Sequence, residues 1–317
     1  MKKKKDIVQK INGLIRQARV PAYIHKFGPK KYTSIQHVRC WLLKEKLKQS
    51  WQDFYDDLLV LFDIYSEDEL PDISTLKKFV KRLPFWIKNL LTKISAGSEP
   101  AEFGAIDSTY LSRNNASEHY IKRIDRETPV KKPMKLSLYV SKRRILSFRL
   151  RAKARGDPKD VSFLLKHASV LATTNCLDKG YDANWIHEEF RSRGVYSIIP
   201  VRKGARRGRY RKEMINYFDY GQYWQRNASE YNNSSFKRRF GDYVRSVSFR
   251  AQHSEVAARV ILHNLKAIFL EIFTAAGFKE GEILITNHCT QKQQQWHRRS
   301  CHFVPSPTPQ TRTLYYV

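Results

Sequence analysis

From Ser34 to about Tyr65 the apolar residues return at three- and four-residue steps: Val38, Trp41, Leu42, then Trp51, Phe54, Leu58 and Leu61. That period predicts helix. The stretch LPDISTLKKFVKRLPFWIKNLL follows. Asp72 or Ser74 can cap a helix through Leu76, Phe79 and Val80, and Pro84 ends or restarts it. Residues 34–94 therefore read as several short helices with basic faces. Two readings stand for them: a helix-turn-helix-like DNA-binding unit, or a helical bundle packed on the next domain. Residues 1–33 read as a basic lead-in broken by the turn signals VPAY and FGPKKY.

The texture changes after SAGSEPAEFG, residues 95–104, a linker by composition. GAIDSTYLS, KLSLYVS and ILSFRLRAK are rich in β-branched, aromatic and alternating apolar residues, which predicts strands. DVSFLLKHAS reads as helix, VLATTNC as strand, ANWIHEEFRSRG as a helix ended by Gly194, and VYSIIPVRKG as strand. SEVAARVILHNLKAIFLEIFTAA is apolar on most of its surface, the mark of a buried helix. Strands first and then alternating strands and helices predict an α/β fold with a mixed sheet, spanning residues 105–277. The tail, residues 278–317, has polar runs and clustered prolines and reads as poorly ordered.

Charge narrows the function. Lys and Arg number 59 against 30 acids, a net +29 over 317 residues. Hydrophobic residues are 41%, with 17 Phe, 17 Tyr and 6 Trp, so the chain can bury a core and is no disordered basic tail. Such a charge resists compaction and attracts polyanions. Nucleic acid, bound mainly through phosphates, is the partner it points to. No long basic amphipathic helix with a clean apolar face favours a membrane surface. The apolar runs LLVLF and AIFLEIF are too short to span a bilayer, and the N-terminus lacks a signal-peptide core. Four widely spaced cysteines do not form a disulfide framework, which fits a reduced, cytoplasmic setting. His288, Cys289, His297, Cys301 and His302 are metal-binding types, but their spacing matches no familiar zinc finger.

In so basic a chain, acids at strand ends are informative. Asp107 sits in FGAIDSTYL, and Asp178 follows VLATTNCL directly. Ligands of α/β sheets gather at the carboxyl ends of strands. The plainer reading of each is a turn or capping aspartate, and it is strongest for Asp182, which can cap the helix starting at Ala183. A third acid, Glu230, lies in YWQRNASEYNNSSFKRRFG among four bases. On one helix Tyr223, Arg226, Glu230 and Lys237 fall within an arc of roughly 60°. Arg226 and Glu230 alone would be an ordinary surface pair worth a few tenths of a kcal/mol. If Asp107, Asp178 and Glu230 meet, they cannot all stay ionised without a cation. Oxygen ligands suit Mg²⁺, and two such ions can clamp both oxygens of a phosphoryl displacement.

The order Asp107, Asp178, Glu230, with Tyr-x₂-Arg-x₃-Glu-x₆-Lys at Tyr223, Arg226, Glu230 and Lys237, resembles the DDE transposases of prokaryotic insertion sequences. Within them it is similar to the group with the Tyr-Arg-Glu-Lys signature. AIDSTYLS is similar to that group's first-Asp strand, LDKGYDANWIHEEFRSRGVYSIIPVR to its second-Asp block, and LPDISTLKKFVKRLP to its pre-catalytic helices. The resemblance covers about residues 35–275. It implies an RNase H-like catalytic domain preceded by an all-helical DNA-binding region. It implies hydrolysis at transposon ends with two Mg²⁺ or Mn²⁺ ions, then attack of the freed 3′-hydroxyl on target DNA, with no covalent protein–DNA intermediate. Asp107, Asp178 and Glu230 carry over as catalytic metal ligands, and Tyr223, Arg226 and Lys237 as DNA-positioning residues. The implied partners are terminal inverted repeats and target duplex, with a homodimer assembled on DNA near the nucleoid. Only residues 179–229 separate Asp178 from Glu230, which leaves no room for a large β-rich insertion. Asn232 and Asn233 stand where apolar residues would dock the helix, and their polarity predicts weaker docking. A catalytically dead or domesticated DNA-binding derivative, and a nuclease that cuts without joining, remain as alternatives.

Overall fold

The computed structural model describes residues 2–24, 26–27, 30–62, 70–113, 132–205 and 207–275. The tail and the His and Cys residues considered there for zinc lie outside them. The chain divides into two compact units, Met1–Ala267 and Ile268–Val317, and the sheet belongs to the first.

Helix comes first. α1 is Lys2–Gln17, α2 Ser34–Leu47, α3 Trp51–Phe62, α4 Ile73–Arg82 and α5 Phe85–Ala96. The basic lead-in thus holds a helix that its apolar residues, interrupted by Gln, Lys and Asn, do not advertise. The interruptions are its polar face. Ile11, Leu14 and Ile15 fall on the other face and enter the core. The periodic stretch from Ser34 breaks into two helices at Lys48, whose φ of 59° ends α2 in the left-handed region. Thr33 caps α2 in a reciprocal capping box with Gln36. Asp72, rather than Ser74, caps α4, its carboxylate accepting from the Ser74 and Thr75 N–H groups. Pro84 separates α4 from α5.

The linker is shorter than its composition indicates, because Ala101–Leu111 is already strand β1. β2 is Met134–Ser141, β3 Arg144–Arg151, β4 Ala172–Leu177 and β5 Tyr196–Ile198. They form one mixed sheet in the order β3-β2-β1-β4-β5. β1, β2 and β3 pair antiparallel, while β4 pairs parallel with both β1 and β5. α6 (Val161–His167) precedes β4, and α7 (Asn184–Arg191) lies between β4 and β5. Then come α8 (Arg209–Asn216), the single turn α9 (Tyr220–Tyr223), a 3₁₀ turn at Trp224–Arg226, α10 (Asn227–Phe240) and α11 (Phe249–Ala275).

Alternation along the strands splits the core. Met134, Leu136, Leu138 and Val140 of β2 join a cluster with α1–α5, α10 and α11. Tyr139 and β1's Ile106 join another with Leu164 of α6 and Ile186 and Phe190 of α7. The sheet is therefore covered on both faces. A register irregularity at Tyr139/Val140 lets Ile145 and Phe148 of β3 serve the same cluster despite their odd spacing. β3 is an edge strand, and α11 covers it. Asn264 accepts the Ile145 N–H at 2.8 Å and donates to the Ile145 carbonyl at 2.9 Å, occupying the open ladder. α11 is buried nearly all round from Gln252 to Asn264, as its apolar surface predicts. Among the described residues no helix is long and apolar enough to cross a membrane.

Candidate active site

β1 and β4 run parallel with Ile106 opposite Leu177. The next residue of each is an aspartate, so Asp107 and Asp178 stand at one level on neighbouring strands and share a face. Asp107 is half-buried. Its Oδ1 accepts the Ser108 N–H at 2.8 Å and its Oδ2 accepts from Asn233 Nδ2 at 2.9 Å. Burial pushes its pKa up, and the nearby charge of Asp178 pushes the same way. The Ser108 N–H, Arg226 and the Asn233 amide pull against them. Asp178 is exposed and stands before the turn Lys179–Tyr181, yet its side chain makes no capping hydrogen bond. The plain capping role fails for this aspartate.

Asp182 does not cap α7 either. Ala183 occupies the cap position, and the buried Asp182 carboxylate instead meets Arg211 Nε at 2.7 Å and the Arg202 N–H at 2.9 Å. An ion pair and a backbone bond outcompete the cap.

The third acid comes from α10, which carries two stripes. Ser229, Asn232, Phe236 and Phe240 are buried. Arg226, Glu230, Asn233 and Lys237 form the other stripe, at steps of four, three and four residues, which is one helix face. The track from Tyr223 to Lys237 is not one continuous helix, because the 3₁₀ turn joins α9 to α10. Asn233 ties the second stripe to Asp107, and Glu230 lies one turn earlier on that face. Arg226 Nη2 meets Glu230 Oε1 at 2.5 Å, with the side chains 25% and 57% exposed. Burial opposes the charge on Arg226, but Tyr223, Glu230 and Asp178 outweigh it and hold the guanidinium pKa above its usual value. Burial raises the Tyr223 pKa; Arg226 counters, and Asp178, Cys176 and Glu230 add to the rise. Tyr223, Arg226, Glu230, Asp178 and Asp107 thus share one electrostatic neighbourhood. Lys237 stands two turns beyond Glu230, about 10 Å along the axis, outside this cluster but on its track.

The polar pair after Glu230 does not weaken docking. Asn232 is fully buried and uses both ends of its amide. Nδ2 donates to the Lys142 carbonyl at 2.8 Å and to the Ala228 carbonyl at 2.7 Å, and Oδ1 lies 3.1 Å from His263 Nε2. It therefore bolts α10 to the β2–β3 turn and to α11.

Support beneath the site comes from residues that the sequence pattern does not single out. Ser108 Oγ lies 3.1 Å from Ser137 Oγ and 3.2 Å from the Tyr181 hydroxyl. Ser137 donates to Asp160 Oδ2 at 2.7 Å. Asp160 also takes Arg151 Nε at 2.5 Å and the buried Lys135 Nζ at 3.4 Å, and Lys135 reaches Asp157 at 2.6 Å. This network holds the residue next to Asp107 from below. Its clearest sign in the sequence is Lys135, a charge inside a strand that otherwise carries only apolar residues and two serines.

A cavity of about 510 Å³ opens beside Arg226. Its walls include Met214, Phe218, Tyr220, Tyr223 and Trp224, and Tyr220 and Trp224 are largely exposed.

Comparison with known proteins adds little to this geometry. No family model matches the chain, and no curated protein matches it in sequence. Among solved structures, the chain is similar to a cryo-EM structure of the piggyBac transposase synaptic complex with hairpin DNA. The TM-score is 0.44 at 12% identity, over 86% of this chain and 74% of that one. It is also similar to a pre-cleavage Mos1 transpososome, with a TM-score of 0.23 at 11% identity, over 77% and 82%. Likeness at these scores carries no argument about chemistry, which rests on the residues themselves.

The residues present are oxygen ligands of the kind a hard cation takes: two aspartates at one level, Glu230 one turn along α10 from the Asn233 that bonds Asp107, and a buried Asn233 Oδ1 with no hydrogen-bond partner. Among the described residues, no three acidic, imidazole or thiol groups are gathered closely enough to hold one ion. Glu230 is turned to Arg226 instead. An exposed i,i+4 pair is worth only about 0.3–0.5 kcal/mol, so a rotamer change that frees Glu230 costs little.

Proposed function

We propose that this chain is a DDE transposase of the insertion-sequence type, with Asp107, Asp178 and Glu230 as its carboxylate set. The observation that carries the reading is Asp107, inside β1, standing level with Asp178, the residue that follows the end of β4, with α10 bonded to Asp107 on the face that bears Glu230. The mixed sheet in the order 3-2-1-4-5 supports the RNase H-like fold that the resemblance implies.

In this reading the three carboxylates would hold two Mg²⁺ or Mn²⁺ ions. Bound there, such ions would activate water or a 3′-hydroxyl and stabilise the leaving oxygen in an in-line displacement. The protein's own residues position the DNA. Arg226 and Lys237 would hold separate phosphates of the DNA backbone along α10, and Tyr223 would hydrogen-bond or pack beside one. The aromatic cavity next to Arg226 suits an unstacked base. α1–α5 with their basic faces would recognise the terminal inverted repeats, and a homodimer would bring two ends together. The setting would be cytoplasmic, at the nucleoid.

The test is a cleavage and strand-transfer assay with purified protein, Mg²⁺ or Mn²⁺, and DNA carrying the gene's own flanking ends. Metal-dependent cutting and joining, lost in Glu230→Gln with DNA affinity retained, is the expected result. Cutting without joining would make the protein a nuclease. One observation favours a second reading, a DNA-binding derivative that no longer cuts: Glu230 is held by Arg226 and not by a shared cation site. Tight binding without cutting by the wild-type protein would establish it.

A further inference from the structure

We infer that Asn233 is a positioning residue of the carboxylate site: its amide fixes the Asp107 carboxylate and sets the spacing between β1 and the turn of α10 that bears Glu230. This rests on the metal-site reading above. Three other amides packed in this core each use both ends. Asn232 does so as described. Asn175 accepts from the Tyr139 hydroxyl at 2.7 Å and donates to the Ala172 carbonyl at 2.8 Å. Asn264 pairs with both backbone groups of Ile145. Those are structural amides, closed on protein partners.

Asn233 differs. Its Nδ2 donates to Asp107 Oδ2, and its Oδ1 is buried without a protein partner. The orientation is not arbitrary, because an ionised carboxylate only accepts, so the amide must present its NH₂ to Asp107. A bare buried acceptor is unfavourable, because it has given up its bond to water without replacement. The bond to Asp107 uses one end of the amide and does not account for the bare oxygen at the other. A hydrated cation beside Asp107 would supply the missing donor, since hard divalent ions keep part of their water shell. Groups that orient a metal ligand in this way change metal affinity by about 10–100-fold when removed.

The test uses the full chain without DNA, titrated with Mn²⁺ alone and followed by calorimetry, alongside unfolding midpoints in a chelator. Asn233→Leu keeps the branched shape with some added volume and removes both polar ends. The expected result is Mn²⁺ affinity about 10–100-fold weaker, beyond any change in the chelator midpoint. A merely structural amide would give the opposite pattern, a lowered midpoint and unchanged Mn²⁺ affinity, and that would overturn the inference. Asn233→Ser is the second variant, so a folding defect in the first leaves the question decidable. Asp178→Asn serves as the control for the metal reading. If the wild type binds no Mn²⁺, the metal site and the role of Asn233 fall together. If the wild type and Asn233→Leu bind equally while Asp178→Asn does not bind, only the role of Asn233 falls.

Discussion

Asp107 is ionised at a cost. Its folded pKa is raised, chiefly by burial. A carboxyl whose folded pKa exceeds its unfolded value stabilises the fold only while protonated, and that stability is lost as pH rises through the folded pKa. At neutral pH the charge therefore works against folding. Asp107→Asn should raise the thermal midpoint, by on the order of 1 kcal/mol in stability, while abolishing cleavage. A calorimetric scan and the cleavage assay check the two halves. Histidines give the converse acid limb. Burial lowers His187 and His263 to about 4. Both partners of His263 Nε2, the Arg143 carbonyl and Asn232 Oδ1, are acceptors, so that nitrogen carries the proton of the neutral ring. For a base with a depressed folded pKa, nothing is lost above pH 6.5. Below it the unfolded chain takes up protons first, and stability falls until about pH 4, by roughly 3 kcal/mol per histidine. Urea midpoints from pH 7 to 4 should follow that slope, and His263→Gln should flatten it. Asp107 was legible in the sequence because strand-like residues flank it, leaving no turn to cap. Asn233 was visible only as an anomaly, because a polar residue on a docking face shows its purpose only when its partner is seen.

At the scale of elements, α10 decides how the site is assembled. Its buried stripe is half polar, and the pattern reading took that as a defect. Asn232 corrects the reading, since a buried amide with all its bonds made is a lock. Asn232→Leu should destabilise by about 2–4 kcal/mol, because it strands the Lys142 carbonyl and leaves the His263 N–H with the Arg143 carbonyl alone. A denaturation midpoint at or above that of the wild type would contradict this. The ion network under β2 makes a second case. Lys135 is fully buried, and so is Asp160. Asp160 keeps Arg151 when Lys135 is removed, so Lys135→Met should cost about 1–3 kcal/mol, through the lost bonds to Asp157 and the Arg155 carbonyl. Replacing Lys135 and Asp160 together should cost less than the sum of the single changes, which a double-mutant cycle measures. Helix and strand periods located most of these elements. They missed α1, whose polar face reads as interruption, and β1's early start, because AEFG resembles a linker until β4 pairs with it.

For the whole molecule, charge dominates. A net +29 carried on a folded core should make DNA affinity fall steeply between low and physiological salt, as phosphate contacts release counterions. Fluorescence anisotropy at several salt concentrations measures the slope, and a flat response would contradict a phosphate-led interface. The same charge explains why a few acids draw notice. Each of the three candidate acids interacts with Arg226, Glu230 through an ion pair and Asp107 and Asp178 through its field. The sequence by itself determined most of the element types, the apolar faces, the net positive charge and the three acids in their order. Those follow from local period, composition and spacing, which need no knowledge of distant partners. The tertiary structure alone decided that Asp107 and Asp178 stand level, that Asn232 locks and Asn233 points at Asp107, and that Lys135 and Asp160 brace the strand beneath. Each of those depends on register between strands or on contacts across long stretches of chain, and no local pattern encodes which donor will meet which acceptor.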